Sequence, residues 1–367
     1  MARAAPPRPG NVTALAGLIA ARIAAAGPIS LADYMAECLL HPEHGYYATR
    51  DPLGAGGDFT TAPEISQMFG ELLGLWLVKS WQDQGSPAPF VLAEPGPGRG
   101  TLMADALRAA RLVPGFGAAA RLHLVEASPA LQAVQADRLA GHAPRWHTGI
   151  ESLPDAPLLL IANEFFDALP IRQFVRRGGG WAERMVGLED GRLAFGLARP
   201  VPIVALNHRL ADTSDGDVVE ICPAAGPAIA EIARRIATCG GAALIIDYGA
   251  GPSLGDTFQA LRAHRPEHPL ASPGAADLTA HVDFVALAHA ARSVPGVQVC
   301  GPLAQGALLE RLGIGARAAA LARRLTGPAL ESHLAAYRRL THREEMGTLF
   351  RALALVPAGA PLPPGFA

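Results

Sequence analysis

Four short apolar runs punctuate the middle of the chain: FVLAE (90–94), RLHLVE (121–126), LLLIAN (158–163) and ALIIDY (243–248). Segments of helical spacing separate them. A run apolar at almost every position has no face left for water, so it suits a parallel strand covered on both sides. Strands of that kind alternating with helices predict an α/β fold with a doubly wound sheet. The alternation is broken twice. From Ile171 to Leu197 apolar and polar residues alternate, with GGG at 178–180 and EDG at 189–191 as turns, which predicts an antiparallel β insertion. From Ala304 to Thr341 leucines and alanines recur at helical spacing with arginines between them, which predicts a helical insertion. LFRALALV (349–356) reads as a final strand.

Ahead of the first run, residues 11–26 and 30–40 read as helices, the second with Ser30 as N-cap. A glycine-rich loop from Arg50 to Glu64 follows, then a helix from Ile65 to Trp81, and GSPAP (85–89) breaks the chain before the first strand. The first 32 residues hold Arg3, Arg8 and Arg22 and no acid; a plain amphipathic helix fits them better than a serine-poor transit peptide. The 367 residues are 50% hydrophobic and 17% charged, the balance of a soluble globular protein with a large interior. A formal net charge of −2 removes the electrostatic case for nucleic acid or an anionic membrane. No apolar run approaches the roughly 20 residues of a membrane-spanning helix. Cys38, Cys222, Cys239 and Cys300 lie far apart, which fits a reducing compartment and argues against a zinc site. HPEH (41–44) and HRPEH (264–268) invite a metal reading, but Pro266 and Pro269 spoil the helical face it needs, so no metal is expected.

EPGPGRGT (94–101) follows the first run and sets Gly96, Gly98 and Gly100 in G-x-G-x-G spacing. A dinucleotide fingerprint wants a glycine where Thr101 stands, and a P-loop wants Gly-Lys-Ser/Thr. The loop instead suits a smaller ligand whose carboxylate meets helix N–H groups. The second run ends in Glu126, placed to accept hydrogen bonds from ribose hydroxyls, with Ser128 as N-cap and Pro129 opening the next helix. Together they point to a nucleoside ligand. The third run ends in NEFFDALP: Asn163, Glu164, Phe165, Phe166 and Asp167. Carboxylates beside phenyl rings at a strand end call for a cation, and a substrate guanidinium held by carboxylate and stacked on an aromatic face is one solution. The plain alternative is that the rings are core and Asp167 caps a turn.

These motifs resemble the MidA family of class I S-adenosylmethionine-dependent methyltransferases. The resemblance is carried by GDFTTAPEISQMFGE (57–71), AEPGPGRGTLMAD (93–105), VEASPALQ (125–132), ANEFFDALPIRQF (162–174), IIDYG (245–249), DLTAHVDF (277–284) and GPLAQGALLERLGI (301–314), and spans about Ile29 to Pro357. Phe258 replaces an expected leucine, a packing change only. The family implies a Rossmann-like, seven-stranded sheet in a core at 90–357, an N-terminal region at 1–89 that includes a cofactor-covering loop, and a tail at 358–367. It implies S-adenosyl-L-methionine as cofactor, held by Thr61, Glu94, Gly96, Gly98, Gly100, Glu126, Ile150, Glu151 and Asn163, with Asp58 and Glu64 as further polar contacts of the covering loop. The implied chemistry is methylation of a protein arginine, with Glu164, Asp167 and His281 as catalytic residues; Asp283, beside His281, is equally readable as part of a helix start capped by Thr279. A respiratory complex I subunit as substrate, a homodimer, and a bacterial cytoplasm or mitochondrial matrix also follow from the resemblance. A cofactor-binding assembly chaperone with little turnover is the alternative, and a Rossmann oxidoreductase a distant third.

Overall fold

The computed structural model describes residues 13–49 and 61–366, so most of the covering loop, Asp58 included, lies outside the described residues. The chain forms two units. One is built from Thr60–Asp167, Ala225–Gly251 and Val282–Ala367, the other from Met1–Phe59, Ala168–Ala224 and Pro252–His281.

The first unit holds the predicted sheet. Its strands are β1 Phe90–Pro95, β2 Ala120–Val125, β3 Arg145–His147, β4 Leu158–Asn163, β5 Gly241–Ala250, β6 Val297–Ala304 and β7 Phe350–Pro357. They lie in the order β6-β7-β5-β4-β1-β2-β3, with the short strand Val282–Asp283 added beside the end of β5. β3, β2, β1, β4 and β5 pair in parallel, while β7 runs antiparallel to β5 and β6. The four apolar runs are therefore β1, β2, β4 and β5, and β1 and β4 are buried at every position. Chain order reverses between β1 and β4. At such a switch point the loops leaving the carboxyl ends diverge and open a crevice for ligand. β6 does not stand out as an apolar run in the sequence. Gly301-Pro302 interrupts its apolar pattern, and the ladder tolerates the pair only because β6 is an edge strand whose register shifts between Cys300 and Leu303.

Alternate residues of the strands, Leu92, Leu159, Ile161, Leu244 and Ile246, pack into one core with Met68, Phe69, Leu72, Trp76 and Met103. Those last five come from the helices Gln67–Asp83 and Thr101–Ala110. The two helices approach unusually closely because Gly70 and Gly74 stand one turn apart on the first of them. A Cβ at Gly74 would lie 2.4 Å from the Ala106 carbonyl oxygen, and one at Gly70 2.6 Å from Asp105 Cβ. Between those glycines, Glu71 accepts from Arg108 at 3.1 Å and from Arg317 at 2.8 and 3.1 Å. Arg317 belongs to the helix Ile314–Ala322, one of three that fill 305–341 with Gln305–Arg311 and Gly327–Thr341.

The second unit gathers stretches that are distant in sequence. Arg172–Arg177, Gly180–Glu189 and Arg192–Leu197 form an antiparallel meander; Val218–Ile221 pairs with the first of these strands and Ile29–Ser30 with the second. Gln259–Arg262, Arg265–Glu267 and Asp277–Thr279 make a second small sheet. The helices Ala14–Ala26 and Leu31–Leu40 bury Leu15, Ile19, Ile23, Tyr34 and Met35 in a core shared with Val186 and Leu278. Ser30 caps the second helix as its sequence predicts, its hydroxyl accepting from the Asp33 N–H at 3.0 Å. Thr279 is not a cap: it sits in a strand, and Asp283 caps the helix Phe284–Arg292 by accepting from the Ala286 N–H. Among the described residues no helix is long and apolar enough to cross a membrane.

Candidate active site

β1 ends in Glu94 and Pro95, and the glycine loop begins. Gly96, Gly98 and Gly100 have φ of 61°, 53° and 75°, the left-handed region that side chains resist. Space is short as well: a Cβ at Gly96 would stand 3.1 Å from the Phe165 ring, and one at Gly100 3.2 Å from Leu139. Gly100 opens the helix Thr101–Ala110, and no side chain caps its first turn. That leaves helix N–H groups to face a ligand carboxylate. Glu94 is 3% exposed, and its Oε2 has no hydrogen-bond partner among the described residues. Burial alone pushes its carboxyl up to about 8. A buried carboxyl oxygen without a donor is a place for a ligand's polar hydrogen.

At the end of β2, Glu126 is buried and well held. Its carboxylate accepts from the Ser128 N–H at 2.8 Å and from Gln135 Nε2 at 3.1 Å. Burial raises its pKa above the ordinary value, against the pull of the Ser128, Gln135 and Ala127 donors. Gln135, missed by the sequence reading, also donates to the Gly98 carbonyl at 2.6 Å and accepts from Trp146 Nε1 at 2.7 Å. One glutamine thereby ties the strand-two acid to the glycine loop. Nothing in the sequence singles it out; its helix merely brings it past both. Ile150, after β3, is buried, whereas the Glu151 side chain is exposed and its carbonyl accepts from Arg235.

β4 delivers the acids. Asn163 ends the strand, and Glu164 takes φ 51°, a left-handed conformation unusual for a residue with a side chain. Its Oε1 accepts from the Ala62 N–H and from Asn163 Nδ2, both at 3.1 Å. Asn163 Oδ1 is buried with no partner among the described residues. The Glu164 residue keeps some exposed surface, but its carboxyl group is enclosed. Burial first, then the neighbouring Asp167 carboxylate, pushes it up to about 7. Asp167 is buried, and the Phe165 and Phe166 rings meet edge to face at 5.3 Å. Ala62 lies just past Thr61, which precedes the helix Ala62–Ile65 without capping it through its side chain. Glu64 in that helix accepts from the Thr101 hydroxyl. The end of the covering loop thus touches both the glycine loop's helix and Glu164.

A third acid, from the IIDYG stretch at 245–249, completes the group. Asp247 on β5 is fully buried and accepts from the N–H groups of Phe165, Phe166 and Asp167 at 3.2, 3.0 and 3.2 Å. Burial, with Asp167 and Glu164 nearby, pushes its carboxyl far up. His281 belongs to the second unit, where its backbone N–H donates to Thr257 Oγ1 at 2.9 Å. Among the described residues no three His, Cys, Asp or Glu side chains are grouped to hold a metal.

The model of a family described as "Putative S-adenosyl-L-methionine-dependent methyltransferase" matches residues 72–303, across the glycine loop, Glu126, Glu164 and Asp247. The chain belongs to this family. Its similarity to curated relatives runs nearly end to end. It is 37% identical to a Drosophila melanogaster protein named protein arginine methyltransferase NDUFAF7 homolog, mitochondrial, over 94% of this chain and 85% of that one. It is likewise 37% identical to the human protein arginine methyltransferase NDUFAF7, mitochondrial, over 92% and 82%. A Burkholderia thailandensis protein of the COG1565 superfamily, solved with S-adenosyl-homocysteine bound, superposes with a TM-score of 0.81 at 29% identity, covering 96% of this chain and 94% of that one. The cofactor of the family is S-adenosylmethionine, and the residues present fit it: a glycine loop where a Cβ would intrude, a held acid after β2, and unpartnered oxygens on Glu94 and Asn163.

Proposed function

We propose that the protein methylates an arginine of a partner protein, with Glu164 as the catalytic acid that holds the guanidinium and Asp167 assisting it. The observation that carries this reading is a set of enclosed carboxyl groups at the carboxyl ends of β4 and β5, next to the glycine loop. No arginine or lysine among the described residues makes an ion pair with Glu164. Buried carboxyl groups are costly without a cation, and a substrate guanidinium is a cation of the right shape. The relatives named as protein arginine methyltransferases support the same substrate class.

Gly96, Gly98, Gly100, Glu94, Glu126 and Asn163 would hold the cofactor, with Thr61, Ile150 and Glu151 at its margins. Bound S-adenosylmethionine supplies an electrophilic methyl group on a positive sulfonium. The chain's part is to prepare the nitrogen that receives it. An arginine nitrogen is a poor nucleophile because its lone pair is delocalised over the guanidinium. A carboxylate on the other nitrogens localises the positive charge there and frees the lone pair. The proton that this nitrogen sheds on accepting the methyl group, the sulfur keeping the electron pair of the broken S–C bond, would pass to Glu164, whose carboxyl, pushed up to about 7, suits a base at neutral pH. Phe165, partly exposed, would offer a guanidinium an aromatic face, whereas Phe166 is buried. His281 has no part in this scheme. A core subunit of respiratory complex I is the proposed substrate, on the family resemblance, which also carries the homodimer and the compartment: matrix in a eukaryote, cytoplasm in a bacterium.

The test uses tritiated S-adenosylmethionine and an extract of cells lacking the gene, followed by hydrolysis of the labelled protein. Label is expected in methylated arginine. Glu164→Gln keeps shape but not charge, so transfer should fall about 100-fold or more while S-adenosyl-homocysteine affinity changes little. Label in lysine, or a Gln variant that transfers at the normal rate, would refute the reading.

A further inference from the structure

β4 and β5 pair in register up to Asn163 opposite Ile246, and the ladder takes one more step, with the Glu164 N–H donating to the Ile246 carbonyl at 2.9 Å. The next residue on β5 is Asp247. There β4 has already ended and its chain turns away, so the Asp247 side chain meets consecutive backbone N–H groups instead of a neighbouring strand. Its Oδ2 accepts from Phe165, Phe166 and Asp167, and its Oδ1 from its neighbour Tyr248 at 2.9 Å. Three successive N–H groups converge on one oxygen only where the backbone curls, and the curl begins with Glu164 at φ 51°. For a residue with a Cβ that conformation is strained, and it persists only when the surroundings over-determine it.

We infer that Asp247 is a positioning residue: its oxygen gathers the N–H groups after Glu164 and thereby sets the turn that carries the Glu164 and Asp167 carboxyl groups. This rests on the reading that Glu164 acts in transfer. Asp247 does not itself touch a substrate, because its oxygens are engaged by the backbone and no part of it is exposed. The buried carboxyl needs a reason, since an apolar side chain would fill the same place on β5 at less cost. Bracing a strained turn supplies one. The acid also stands beside Glu164 and Asp167, where an unbraced carboxyl group would be repelled from the cluster.

Two substitutions separate bracing from bulk structure. Asp247→Asn keeps one oxygen for the three N–H groups, and Asp247→Ala keeps none. Each full-length variant is assayed for tritium transfer into the same gene-deleted extract, for S-adenosyl-homocysteine affinity by calorimetry, and for amide exchange in the peptide covering 164–168. Asp247→Ala should exchange at least about 10-fold faster in that peptide and lose about 30-fold or more in transfer, with affinity within about 3-fold. Asp247→Asn should retain slow exchange and recover transfer to within about 10-fold of the parent. Exchange unchanged in Asp247→Ala overturns the inference, and so does a loss of cofactor affinity as large as the loss of transfer. Where Asp247→Ala does not fold, the Asn variant decides: fast exchange, or transfer as low as in Glu164→Gln, overturns it. Exchange at 165–167 does not depend on what Glu164 does. Failure of the catalytic reading therefore shows as normal transfer by Glu164→Gln, separately from failure of the brace.

Discussion

At the residue scale the site is a set of acids whose surroundings give them different tasks. Glu126 accepts from Ser128 and Gln135 and sits after β2; Glu94 has an oxygen without a donor among the described residues; Glu164 has two donors but an acid neighbour. The differences make separate predictions. Glu126→Ala removes a buried, charged acceptor and should weaken S-adenosyl-homocysteine binding by about 2–4 kcal/mol in calorimetry; an unchanged affinity would remove Glu126 from the cofactor site. Glu164 must be ionised to take a proton, so kcat/KM for the protein substrate should rise with pH through an inflection near 7. A profile flat from pH 6 to pH 8 would exclude Glu164 as the base. Acids at strand ends were legible as single residues, because an acid closing an apolar run is conspicuous. Asp247 closes such a run too, yet its partners lie some eighty positions earlier, and only the pairing of β4 with β5 brings them to it.

Among the elements, the strands of the parallel sheet were the most readable. LLLIAN (158–163) is β4 to the residue, and FVLAE differs from β1 only by Pro95. Continuous apolar runs owe their character to burial on both faces, so their limits are marked by the first residue that water must reach. The glycine loop was equally legible, because positive φ and close packing both exclude side chains. Gly96→Ala puts a methyl group 3.1 Å from Phe165 at a φ of 61°. We expect at least about a 10-fold loss of S-adenosyl-homocysteine affinity, with a melting temperature lowered by no more than a few degrees. Normal affinity would mean that the loop does not approach the ligand. Helix ends were less readable. The predicted start at Ile65 falls two residues early because Ser66 caps the helix Gln67–Asp83, and a cap identity depends on backbone geometry as much as on residue type.

On the scale of the whole molecule, buried carboxyl groups should govern stability near neutral pH. Glu94 and Glu164 are raised to about 8 and about 7 from an ordinary value of 4.5. Folded chains hold these protons more tightly than unfolded ones, so between the unfolded and folded pKa values stability falls as pH rises. His123, lowered from 6.5 to about 4 by burial and the neighbouring His147, works the other way. His142, His147, His268 and His281 are lowered as well, and the histidine effect fades only once the pH is well above 6.5. The ligand-free protein should therefore melt lower at pH 8.5 than at pH 7.5, by roughly 2 °C, and Glu94→Gln should flatten the slope. Scanning calorimetry with equal melting temperatures at the two pH values would show that these groups are hydrated or paired in solution.

By itself the sequence determined the class of the fold, the place of the glycine loop and the acids Glu126 and Glu164, since each of these is written in neighbouring residues by burial, backbone conformation or charge. It did not show that 13–49, 168–224 and 252–281 share a core, because contacts between distant segments leave no local period. Nor did it show Gln135 bridging Glu126 to Gly98, or Asp247 gathering the N–H groups after Glu164. Those arrangements depend on which strand lies beside which. Register within the sheet, set by the packing of whole strands, decided them.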